Sequence, residues 1–134
     1  MLTVFADSFY FFALGNQNDP AHLKALAFSQ TFSGRLCTTG FVLIEFAGGC
    51  ASPPPRRAAF LQAVDELEKN PDVTIVPCSA QLFQAGLDLF EKRPDKQWTL
   101  TDCISFGVME NEGITDALTG DKHFEQAGFI ALLK

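Results

Sequence analysis

Short apolar runs recur along the chain, and most are followed by a longer segment in which apolar residues return every three or four positions. Runs of the first kind fit buried strands and segments of the second kind fit amphipathic helices. Leu2 to Ala6 predicts a first strand that ends at Asp7, and Ser8 is a candidate cap for an aromatic-rich helix through Leu14. "GNQND" reads as a turn, after which Asp19-Pro20 predicts a second helix to about Phe32, ahead of Gly34. The strand "RLCTT" follows, and Thr39 precedes a helix carrying Phe41, Val42, Ile44, Glu45 and Phe46. "GGCASPPP" ends that helix, because proline has neither a free N–H nor the backbone freedom to continue it. The remaining pattern predicts a helix from Arg56 to Lys69, the strand "VTIVP" and a helix from Ala80 to Lys92. A helix from Asp102 to Glu112 stops at Gly113, followed by a strand from Ile114 to Thr119, a helical turn from Lys122 to Ala127 and a last strand from Phe129 to Leu133. This alternation predicts one α/β domain over residues 1–134, with a parallel sheet covered on both faces.

Composition narrows the class. With 134 residues, 47% hydrophobic and 19% charged, the chain can bury a core and does not read as disordered. A net charge of -6 argues against nucleic-acid binding by bulk electrostatics. It leaves a nuclease open, since two bound divalent ions would add +4 and bring -6 to -2. Cys37, Cys50, Cys78 and Cys103 show no C-x-x-C spacing and His22 and His123 lie far apart, so zinc is disfavoured and reduced thiols in a reducing compartment are expected. No basic segment precedes the first apolar stretch and no run is long enough to span a membrane, which predicts a cytoplasmic protein with no membrane partner.

In a parallel α/β sheet, ligands collect beyond the carboxyl ends of the strands. Asp7 ends the first strand, Glu45 lies in the helix after the second, Asp102 opens its helix, and Asp121 follows the fourth strand. Four carboxylates on one rim repel one another unless cations compensate, and hard oxygen ligands suit Mg²⁺ or Mn²⁺. Asp102 and Asp121 also read as ordinary helix caps, whereas Glu45 and Asp7 sit among apolar residues where lone acids are rare. Position alone leaves a metal site and plain capping both open. For His22 and His123 a helix-surface or capping role outweighs a catalytic base, and "FYFF" reads as core first and subunit contact second.

Taken together, these residues resemble the PIN-domain family, and within it the single-domain VapC-like toxins of bacterial toxin–antitoxin pairs. "VFADSFYFFAL" is similar to a first motif in which a strand ends in Asp followed by Ser or Thr, and "NDPAHLKA" to the Asp-x-x-His segment after it. "TTGFVLIEFA" resembles the segment with the helical glutamate. "DKQWTLTDCISFGVMENEGITDALTGDKHFEQAGF" resembles the Ser/Thr-x-x-Asp helix, strand and closing Asp-x-x-Phe. The resemblance implies a three-layer α/β/α sandwich around a parallel sheet of four to five short strands. It implies a Mg²⁺- or Mn²⁺-dependent endoribonuclease that leaves 5′-phosphate and 3′-hydroxyl ends. Asp7, Glu45, Asp102 and Asp121 match the acidic quartet, with Ser8, Thr101 and Ser105 at supporting polar positions. It also implies an RNA substrate, a small antitoxin partner and a homodimer. Arg56, Arg57 and Lys122 are candidates for holding RNA, with a solvated helix face as the plain alternative for each. "GGCASPPPRR" is richer in glycine and proline than the pattern, which bears on the rim and partner surface. The rivals are a non-catalytic PIN-like partner-binding module and a Mg²⁺-dependent phosphatase- or receiver-like domain. The second wants another acid beside Asp7 and a late strand-end lysine, and "VFADS" has one acid.

Overall fold

A computed structural model describes all residues from Met1 to Lys134. The chain forms β1 (Thr3–Ala6), α1 (Ser8–Gly15), α2 (His22–Thr31), β2 (Arg35–Thr39), α3 (Gly40–Gly49) and α4 (Pro54–Lys69). It continues with β3 (Val73–Val76), α5 (Ala80–Lys92), α6 (Leu100–Glu112), β4 (Asp116–Leu118), α7 (Lys122–Gln126) and β5 (Ile130–Ala131). All strand pairs are parallel, in the order β3-β2-β1-β4-β5, which is the expected three-layer α/β/α sandwich with five strands. The chain winds outward from β1 in one direction to β3, then returns to the other side of β1 to lay down β4 and β5. The β1–β4 seam is therefore the point where connections diverge, and a crevice opens at the carboxyl ends of those two strands.

Local chemistry explains most boundaries. Thr39 accepts from the Val42 N–H and caps α3, Ser79 accepts from the Leu82 N–H and caps α5, and Gly113 ends α6 at φ 68°. The prolines after Cys50 interrupt α3 as expected, but they also open α4: Pro54 and Pro55 occupy its first turn, where a missing N–H costs nothing. The helix thus starts two residues before Arg56. Residues 16–21 are turn, with Asp19 Oδ1 accepting from the Ala21 N–H at 2.8 Å, so α2 begins at His22 rather than at Pro20. The last two strands are shorter than their apolar runs, because only Asp116–Ala117 find partners in β5.

The core joins β1, the inner faces of α1, α3 and α6, and Phe124 of α7. Edge-to-face contacts run from Trp98 through Phe106 to Phe124, with centroids 5.1 and 5.0 Å apart. They lock the start of α6 against α7. The four cysteines are free; Cys37, Cys50 and Cys103 are buried and Cys78 is exposed. No helix is long and apolar enough to cross a membrane.

Candidate metal centre

Strand register builds the base of the site. Ala6 lies opposite Leu118 across the β1–β4 seam, so Asp7 and Thr119, the next residue of each strand, become neighbours. The Thr119 hydroxyl donates to Asp7 Oδ2 at 3.0 Å and accepts the Asp121 N–H at 3.1 Å. One buried threonine thereby ties two acids from opposite ends of the chain. The Thr38 hydroxyl donates to the Ala6 carbonyl at 2.8 Å and holds the strand end just before Asp7.

Asp102 arrives from α6. Thr99 caps that helix, accepting from the Asp102 N–H while Asp102 Oδ2 accepts from the Thr99 N–H, both at 3.0 Å. This reciprocal pair starts α6 at Leu100 and makes Asp102 the third residue of the helix rather than its opener. Asp121 Oδ1 accepts from the His123 N–H at 2.9 Å and caps α7. Glu45, half-buried on α3, accepts a hydrogen bond from the Ser8 hydroxyl. Ser8 therefore serves Glu45; it does not cap α1, whose cap position is held by Asp7 with no side-chain hydrogen bond.

Asp7, Glu45, Asp102 and Asp121 line one open cleft with Ser8, Thr99 and His123, and no lysine or arginine lines it. Asp7 and Asp102 are only 4% and 6% exposed. Burial, then the Asp102 charge and more weakly that of Glu45, pushes the Asp7 carboxyl up to about 7, against the hydrogen bonds from Thr119 and the Ser8 backbone. Burial also raises Asp102, with the Asp121 charge adding to it and the Thr99 backbone and His123 opposing. Glu45 Oε2 and Asp102 Oδ1 make no hydrogen bond to the protein.

His123 changes the picture most. Its Nδ1 lies 3.1 Å from Asp102 Oδ2 and 3.4 Å from Asp121 Oδ2. Ligand atoms of Asp102, Asp121 and His123 gather within 4.8 Å of one another, a group that leaves out Asp7 and Glu45. The surface or capping role expected for His123 is thus wrong in its first half, since the ring faces the acids. His22 is structural, with Nδ1 2.8 Å from the Ala13 carbonyl oxygen. Thr101 is half-buried outside the cleft lining, and Thr99 stands where Thr101 was expected. Ser105 is fully buried, with a hydroxyl that finds no partner. Arg56, Arg57 and Lys122 are exposed and none lines the cleft; Arg56 borders a separate apolar groove and Arg57 reaches the Ala51 carbonyl at 3.4 Å.

Sequence reading missed Thr99, Thr119 and the orientation of His123. Thr99 was legible, being three residues before Asp102 in the spacing of a capping box. Thr119 and His123 carry no comparable local signal, because their roles depend on strand register and on how α7 packs.

A model of the PIN domain matches residues 4–130. The 23S rRNA-specific endonuclease VapC20 of Mycobacterium tuberculosis, in strains CDC 1551 / Oshkosh and H37Rv, is 27% identical over 127 residues, covering 95% of this chain and 95% of that protein. The crystal structure of Mycobacterium tuberculosis VapC20, a sarcin–ricin loop cleaving toxin, aligns with TM-score 0.83 and 26% identity over 95% of this chain and 96% of that one.

Proposed function

The chain belongs to the PIN-domain family, and from that premise we propose that it is a VapC-like toxin, an endoribonuclease that hydrolyses RNA phosphodiester bonds with a divalent cation. One observation supports the cation above all: four carboxylates, two of them nearly buried, line a cleft into which no lysine or arginine reaches. An RNA phosphate meeting that cleft alone would be repelled. Oxygen donors of this kind fit Mg²⁺ or Mn²⁺.

When bound, the cation supplies charge stabilisation for the phosphoryl transition state and lowers the pKa of a nearby water. The chain's own residues do the rest. Asp7, Asp102 and Asp121 provide the negative charge that retains the ion, each held in place by the protein: Thr119 on Asp7, the Thr99 N–H on Asp102, and the His123 N–H on Asp121. Glu45, oriented by Ser8, takes the proton released as water attacks phosphorus. The bond from phosphorus to the 3′-oxygen breaks, and that oxygen takes up a proton from solvent, which leaves 5′-phosphate and 3′-hydroxyl ends. Arg56, Arg57 and Lys122, exposed outside the cleft, are placed to contact phosphates further along the strand.

Two protein partners belong to the same reading, a small antitoxin and a second copy of this chain. α4 is 16 residues long and has no fully buried residue, and beside it lies an apolar groove bounded by Phe11, Leu14, Phe46 and Phe60. Such a face suits an interface. The named relative acts on the sarcin–ricin loop of 23S rRNA, and a structured rRNA loop is the first substrate to try here. The deciding experiment is cleavage of such a loop by purified protein with EDTA, Mg²⁺ or Mn²⁺. Metal-dependent cuts that vanish in Asp102→Asn support the reading; a metal-independent product, or none with any RNA tried, sinks it.

A further inference from the structure

Resting on the metal-centre reading above, we propose that His123 is a positioning residue of the site: its Nδ1–H holds Asp102 Oδ2 beside Asp121, so that Asp102 Oδ1 is turned to the cation. Nδ1 sits 3.1 Å from Asp102 Oδ2 and 3.4 Å from Asp121 Oδ2. Without a proton on that nitrogen, three lone-pair acceptors would converge within hydrogen-bonding range, which is repulsive. The tautomer with hydrogen on Nδ1 replaces that repulsion with a hydrogen bond to Asp102 Oδ2, the Asp121 oxygen lying just beyond it. Asp102 Oδ2 then accepts twice, from His123 and from the Thr99 N–H at 3.0 Å. Its Oδ1 makes no hydrogen bond to the protein and is the oxygen left for a cation. On the other acid, the His123 backbone N–H fixes Asp121 Oδ1 at 2.9 Å while the ring approaches Oδ2.

The ring itself is anchored. His123 is the second residue of α7, between Asp121 at the cap and Phe124, which is fully buried against Phe106 of α6. The side chain is 16% exposed, so its rotamer is restricted by packing. A metal site's affinity depends on how well its ligands are oriented before the ion arrives, and losing an orienting partner typically costs about 10–100-fold in affinity.

Mn²⁺ binding, followed by the EPR signal of the free ion, tests this in wild type, His123→Ala, His123→Asn and His123→Gln. Asparagine can present an N–H where Nδ1 stood; glutamine carries its amide one bond further out. We expect about 10–100-fold weaker Mn²⁺ binding in the alanine and glutamine variants and substantial recovery in asparagine. RNA cleavage by the alanine variant should return at higher Mn²⁺ concentration. Electron spin-echo spectra of Mn²⁺ bound to wild type should show no directly coordinated nitrogen. Equal Mn²⁺ affinity in wild type and His123→Ala, equal loss in asparagine and glutamine, or a strong nitrogen coupling each overturns the role. Failure of the parent reading looks different: wild type itself then binds no Mn²⁺, and Asp102→Asn changes nothing.

Discussion

Asp102→Asn removes one charge at nearly constant shape, and Asp7→Asn does the same at the base of the cleft. Each should reduce metal-dependent RNA cleavage to background while leaving the circular dichroism spectrum native, and near wild-type cleavage by either variant would refute its assignment. Asp7 carries a second prediction, in pH. Its carboxyl is pushed from 3.8 to about 7 by burial, so between those values the folded, metal-free protein holds a proton that the unfolded chain has released. Unfolding then releases a proton, and stability must fall as pH rises through this window, by an amount on the order of a few kcal/mol. Chemical denaturation in EDTA at pH 5 and pH 8 should show the lower midpoint at pH 8, with the difference shrinking in Asp7→Asn. Asp7 and Glu45 stood out in the sequence because a carboxylate is out of place among apolar residues, whereas Asp102 and Asp121 also read as plain helix caps and were singled out by the family resemblance. Thr119 was not, since its bond to Asp7 spans 112 residues and exists only through the β1–β4 register. His123 was visible but discounted, because a lone histidine gives no sign of which way its ring turns.

α3, behind Thr39, and α5, behind Ser79, start where expected, each with its cap hydrogen bond in place. α4 was displaced because the same prolines that end one helix can start the next, and only packing decides which they do. The short β4 and β5 were overestimated, since their length is set by partners rather than by apolar content. α6 matters most to the site, as it carries Asp102, and two features hold it. Thr99 closes its first turn, and Thr99→Ala should cost about 0.5–2 kcal/mol by denaturant melt, with cleavage falling further than stability because Asp102 loses its N–H donor when the chain before α6 loosens. Gly86 of α5 lets α6 approach: a Cβ there would stand 2.3 Å from Ile104 Cγ1 and 3.3 Å from the Ile104 backbone nitrogen. Gly86→Ala should therefore destabilise the fold by about 1–3 kcal/mol and shift α6, despite alanine's better helix propensity. A melting temperature equal to or above wild type would show that Ile104 simply rotates away.

At the scale of the molecule, four of the chain's 16 acidic residues meet in the cleft without a lysine or arginine among them. A divalent cation that binds the native cleft and not the unfolded chain stabilises by RT ln(1 + [L]/Kd), about 2.7 kcal/mol at 100 times Kd. For a domain of this length that raises Tm by roughly 10 °C. Plain helix capping predicts otherwise, because a cap needs no metal and its truncation lowers Tm under every condition. The two differ most in the variants. If the acids are there to hold an ion, Asp7→Asn removes repulsion as well as a ligand, so it should melt at or above wild type in EDTA at pH 8 and gain little from Mn²⁺. Asp102→Asn should also gain little from Mn²⁺, but its baseline in EDTA should not rise as far, because Asp102 also accepts the Thr99 N–H and an amide accepts it less strongly than a carboxylate. Melts of the three proteins with EDTA, Mg²⁺ and Mn²⁺ at one pH separate the cases. A wild-type Tm that does not move at millimolar Mg²⁺ or Mn²⁺ would mean that the cleft holds its charge for some purpose other than a cation.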